Sequence, residues 1–232
     1  MRMLKRKLTA ADYLLIIVNL VPVYCVWFEQ WSATKVFLVY CLETVIIGLF
    51  TILKIAVITL FIKPRDEWQG GSVPVQVGGL FFILFFLVHY GIFVFVQTQI
   101  FFSVSGLVSD HSTFGVYARI PAILGDEGKL LLAIFVIYYT LQTLFDFFLT
   151  GEYKTVSMLK VMMQPYGRII VQQFVVIIGS MLLVFGGGHV FILVLALVKI
   201  YVEVYFRFDR IINITEAKAR LKMEREKKLP GA

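Results

Sequence analysis

The run FFILFFLVHYGIFVFVQTQIFF, Phe81 to Phe102, is the heart of an apolar stretch from Leu80 to Val104, and its reading decides the fold. A helix that crosses a bilayer needs about 20 apolar residues, and this run supplies them without an Asp, Glu, Lys or Arg. One imidazole, His89, sits near its midpoint beside Tyr90. An ionisable side chain at that depth is costly, so it marks a functional-site candidate.

Composition carries the same message outward from that run. The chain is 59% hydrophobic and 16% charged, against about 45–50% and 25% in soluble domains. A net charge of +7 in a soluble protein would suggest nucleic acid. Here the basic residues gather in the tails and two loops, which membrane orientation explains, so the bilayer is the expected partner and nucleic acid is not. The two cysteines, Cys25 and Cys41, both lie in apolar runs and read as small hydrophobes rather than a disulfide or a thiolate metal site.

The fold class expected is all-α, a polytopic helical membrane protein with about six transmembrane helices. A basic start (Arg2, Lys5, Arg6, Lys7) precedes a first span from Tyr13 to Phe28. No small-x-small cleavage site follows, so this is read as a retained span and not a signal peptide. The second span runs from Ala33 to Ile62 and the third is the opening run. Lys63 to Gly79 is a loop by its Pro and Gly content. Gly106 to Gly128 is a polar connection with room for a short helix on the bilayer surface. The fourth span is Lys129 to Leu149. A short amphipathic surface helix is expected over Thr155 to Met163, before Pro165. The fifth and sixth spans are Ile169 to Phe185 and His189 to Phe206. Residues 1–208 thus form the membrane domain, and 209–232 a basic, helix-prone tail.

With six spans and both termini on one side, that side carries seventeen Lys and Arg, the other three (Lys35, Arg119, Lys129), and the spans two (Lys54, Lys199). The excess of positive charge assigns both termini to the cytoplasm and the chain to the inner membrane.

Depth follows from counting residues inward at 1.5 Å each. Glu43 lies ten residues inside the second span, His89 about ten inside the third and Lys199 ten inside the sixth, while Asn19 is central in the first. A carboxylate, an imidazole, an ammonium and an amide therefore share a level about 15 Å deep. An isolated charge there costs at least about 2.5–3.5 kcal/mol, so these groups are expected to face one another. Glu203, four residues after Lys199, can pair with it on the same helix face. If the site titrates, His89 beside Glu43 is the expected switch. The bland reading, a satisfied polar network that only holds helices together, competes with a proton relay, an ion path or a binding pocket. Tyr90, Gln97 and Gln99 are candidates for a pocket or its mouth, with interhelical hydrogen bonding the competing role for the two glutamines.

Sharper chemistries fail on residue types. A bis-His haem lacks a second histidine at the right depth, since His111 and His189 sit at or beyond the surface. A dinuclear carboxylate site lacks its Glu-x-x-His pairs. No phosphate loop or dinucleotide fingerprint occurs, and Gly179-Ser180 has no nucleophile-elbow frame. No metal or other cofactor is expected; a single zinc would need Glu43, His89 and one further ligand.

Several short motifs, in order along nearly the whole chain, resemble a prokaryotic multi-pass membrane family catalogued as domain of unknown function 6498. They are Asn19-Leu20-Val21-Pro22, Tyr40-x-x-Glu43 with Gly48 and Lys54, and His89-Tyr90-Gly91. The series continues with Gly151-Glu152-Tyr153, Pro165-Tyr166-x-Arg168 and Lys199 with an acid four later. The resemblance implies the same polar positions and adds a cytoplasmic elbow of Glu152, Tyr153, Tyr166 and Arg168, but it supplies no activity. Cys41-Leu42 stands where that family favours Trp-Glu, Glu203 where it favours Asp, and Gln97 where a second histidine is expected. The last departure weakens any metal or haem idea.

The leading expectation is translocation of a small solute or ion, with or without proton coupling, in which Glu43 and His89 carry the proton or the ligand. The alternatives are a non-catalytic subunit of a larger complex, docked by the basic tail from Lys218 to Lys228, and an integral membrane enzyme acting on a lipid or quinone beside His89. Homo-oligomers fit any of the three.

Overall fold

Long apolar stretches with few helix breakers can satisfy their backbone polar groups inside a bilayer only by closing them into helices, and the chain does so. The computed structural model describes residues 8, 10–62, 66–69, 74–105, 115–184 and 187–205. Among them are six long helices: α1 (Ala10–Phe28), α2 (Ala33–Val57), α3 (Gly79–Ser105), α4 (Gly115–Thr143), α5 (Met158–Val184) and α6 (Gly188–Tyr205). Three helical stretches are long and apolar enough to cross a membrane, Ala33–Phe61, Gly79–Ser103 and Tyr117–Leu149, with shorter apolar helices at Asp12–Phe28 and Gly188–Val202. The protein is an all-α membrane protein. The tail from residue 209, expected to be helical, lies outside the described residues, as does most of the basic start.

The ends of the helices have local causes. Gln30, with a positive φ of 58°, turns the chain out of α1, and the Ser32 hydroxyl accepts from the Lys35 N–H to cap α2. A π-helical turn, Ile58–Ile62, extends α2, and another, Leu144–Leu149, extends α4. The break expected in the polar connection before the fourth span falls at Gly125, whose φ of 62° and ψ of −168° are open to glycine and to few other residues. It divides α4 into a short helix from Gly115 and a long one to Thr143.

Two sequence expectations are corrected here. The loop Lys63 to Gly79 contains an antiparallel hairpin, β1 (Asp66–Gln69) with β2 (Pro74–Val77), in the register Asp66 to Val77 and Trp68 to Val75. The prolines and paired glycines read as a loop and concealed the short Val-x-Val strand, where Pro74 can stand because it opens the strand. The separate surface helix before Pro165 does not form either. The helix expected at Thr155 to Met163 starts at Met158 and runs unbroken through Pro165 as α5. A proline inside a membrane helix is tolerated because neighbouring helices can satisfy the freed carbonyl.

The central element is α2, and not the more apolar α3. α2 packs against α1, α3, α4, α5 and α6, and 44% of its most apolar window is buried against 22% for α3. Two apolar cores lie along it. One, at the Trp31 end, joins α2 to α1, α4, α6 and the C-terminal end of α3 through Phe37, Tyr40, Phe101, Phe135 and Phe191. The other, at the Thr59 end, joins it to α3 and α5 through Ile55, Phe86, Tyr90 and Tyr166. Gly48 permits the second: a Cβ there would come 2.8 Å from Tyr90 Cε1. The close approach lets Tyr90 donate its hydroxyl to the Thr44 carbonyl at 2.9 Å.

Candidate functional site

The first core holds a charged pair. Glu43 on α2 is 1% exposed and Lys199 on α6 is 7% exposed. Lys199 Nζ forms an ion pair with Glu43 Oε2. From α4, Tyr139 donates its hydroxyl to the other carboxylate oxygen, Oε1, at 2.6 Å. The carboxylate is thus gripped from two helices, by a cation and by a phenol. Bonds of this charge-assisted kind are the strong ones.

The ammonium is also enclosed by aromatic faces. Lys199 Nζ lies 4.6 Å from the Tyr40 ring centroid and 5.2 Å from that of Phe135. Tyr40 and Phe135 touch each other with centroids 5.8 Å apart. Rings at that range attract a cation through their negative faces, by about 2 kcal/mol where water is excluded. Tyr40 then links the pair to α1, donating its hydroxyl to the Asn19 carbonyl at 3.2 Å. The Asn19 side chain turns along its own helix, Nδ2 donating to the Leu15 carbonyl at 2.9 Å. Its Oδ1 is buried without a hydrogen-bond partner.

Depth counting therefore identified Glu43, Lys199 and Asn19 as one neighbourhood, and the fold assembles them. It does not bring His89 there. His89 is exposed on α3, and the residues packed on its ring are Phe85, Phe93 and Tyr166. The sequence-adjacent Tyr90 points inward to α2 instead. α4 takes the place expected for α3 at the pair, through Tyr139 and Phe135, which sequence reading missed. Tyr138-Tyr139 deep in the fourth span was the available signal, since a buried phenol seeks an acceptor.

With His89 facing away, the zinc arrangement of Glu43 and His89 does not form. No group of three or more His, Cys, Asp or Glu residues gathers among the described residues. The expected pairing of Lys199 with Glu203 cannot be placed beside the Glu43 pair, because the Glu203 side chain lies outside the described residues, as does that of Arg168.

The remaining expected residues play separate parts. Gln97, at a supposed pocket mouth, is wholly buried. Its carboxamide lies by the Cys41 thiol, yet neither Nε2 nor Oε1 has a hydrogen bond of ordinary geometry. Gln99 Nε2 donates to the Tyr117 hydroxyl at 3.1 Å, joining α3 to α4. Glu152 and Tyr153 form a single 3₁₀ turn after Gly151, with Tyr153 against Phe147 and Phe148. Tyr166 sits within α5, facing α3, in the core cluster against which Tyr153 also packs. Both cysteines are free and buried.

A helical membrane protein with a caged ion pair at its central helix is the class that this fold and site define. The chain belongs to the family of unknown function DUF6498, whose model matches residues 1–228. No curated protein and no solved structure matches the chain.

Proposed function

We propose that the protein is a six-span inner-membrane translocator, with both termini cytoplasmic, that moves a proton or a small polar solute past the Glu43–Lys199 pair. One observation carries the reading: opposite charges from α2 and α6 are buried together in an apolar core, where hydrophobic residues would hold the helices at lower cost. The surroundings suit a two-state group. Protonation of Glu43 removes the attraction to Lys199, and the Tyr40 and Phe135 faces remain to hold the freed ammonium. Tyr139, already on Oε1, can accept or deliver a proton through its hydroxyl. This replaces the sequence-based pairing of Glu43 with His89 by one of Glu43 with Lys199.

Proton flux into vesicles under an imposed potential, followed with an entrapped pH dye, tests the proposal. The double variant Glu43→Gln/Lys199→Met removes both charges together and so avoids stranding either one. Loss of flux with retained fold is the expected result. Flux equal to that of the unaltered chain would leave the pair a structural clasp and end the translocator reading.

A further inference from the structure

The feature that the ion pair does not explain is the outer face of α3. Phe81, Phe85, His89 and Phe93 recur every four residues and so stand above one another on one helix face. Their rings form a continuous column. Phe81 and Phe85 stack with centroids 5.9 Å apart and planes at 20°. Phe85 and His89 follow at 5.2 Å and 36°, then His89 and Phe93 at 5.3 Å and 33°. Phe81 and Phe85 are exposed by 46% and 39%, and His89 is exposed as well. Beside the column, Tyr166 of α5 meets His89 edge to face at 5.5 Å. It is 9% exposed, and its hydroxyl is buried without a hydrogen-bond partner.

We infer that the α3–α5 face binds a planar, membrane-dissolved ring bearing a carbonyl or hydroxyl oxygen, a ligand of the quinone class. Three physical points select that occupant. His89 is ten residues, about 15 Å, from the start of α3, too deep for a lipid headgroup to reach. An imidazole opening onto hydrocarbon needs a polar partner that hydrocarbon does not supply. The ring column presents aromatic edges, which favour the face of a flat ring in an edge-to-face contact that a saturated acyl chain cannot make. The imidazole can donate to a carbonyl oxygen or accept from a hydroxyl, and the Tyr166 ring packs edge to face beside it with its own hydroxyl buried and unpartnered. The inference is independent of the translocator reading, since none of these residues contacts the Glu43–Lys199 pair through any interaction described above.

The test uses the full chain in lipid nanodiscs and a short-chain benzoquinone carrying a photoreactive azide. Label is expected on peptides from 79–105 and 158–184, displaced by unlabelled benzoquinone and not by an acyl chain of equal length. His89→Phe keeps the ring column and the fold and removes the polar contact, so saturable labelling should fall about two- to tenfold, the worth of one hydrogen bond. Tyr166→Phe should lower it by less. Labelling that is scattered, displaced equally by the acyl chain, or unchanged in His89→Phe overturns the inference. A native mass that drops from dimer to monomer in His89→Phe also overturns it, because a second copy then covers the face.

Discussion

Tyr139 and Lys199 approach the Glu43 carboxylate from different helices and divide its two oxygens between them, Oε1 to the phenol and Oε2 to the ammonium. α2, α4 and α6 are thereby tied at one point inside an apolar core that includes Tyr40, Phe135 and Phe191. Removing one partner from such a knot differs in kind from removing all its charge.

That difference is measurable. Glu43→Gln alone or Lys199→Met alone strands a buried polar or charged group and should cost about 3–5 kcal/mol. The double variant should recover most of the loss. Thermal unfolding in detergent, arranged as a double-mutant cycle, reads the coupling directly. Strictly additive losses would mean that the pair contributes nothing as a pair.

Tyr139→Phe keeps the ring and deletes the hydroxyl that serves Glu43 Oε1. A hydrogen bond to a charged group contributes about 1.5–3 kcal/mol, and the variant should lose stability in that range. A Tyr139→Phe variant as stable as the unaltered chain would show that the phenol on Glu43 contributes nothing.

Gly48→Ala should force α2 and α3 apart, because the new methyl would meet the Tyr90 ring at 2.8 Å. Overpacking of this kind costs about 1–3 kcal/mol, and here it also pulls Tyr90 away from the Thr44 carbonyl. Shortening the neighbour as well, in Gly48→Ala/Tyr90→Leu, should relieve part of the cost. Unfolding temperatures of the two variants decide the matter, and a double variant no better than the single would place the strain elsewhere.

The proposed orientation predicts that a fluorescent protein fused after Ala232 folds and glows, while alkaline phosphatase fused there stays inactive. Phosphatase fused in the 106–114 connection should be active. The reverse pattern would invert the topology and the sense of any translocation.

The amino-acid sequence by itself determined the class, the approximate places of the long apolar helices in the chain and the number of residues from each helix end to its polar side chains. Hydropathy marks where a chain must hide its backbone, and a rise of 1.5 Å per residue turns position into depth. Hence Glu43, Lys199 and Asn19 were legible as neighbours from their distance into three spans. Azimuth was not legible. α3 is apolar almost all round, so no polar stripe declares which face is buried. Only packing decided that Tyr90 turns to α2 at Gly48 while His89, one residue earlier, faces outward beside Tyr166. Packing likewise brought Tyr139, and not an imidazole, to the Glu43 carboxylate, because contacts between α2 and α4 are made by side-chain shape across helices far apart in the chain.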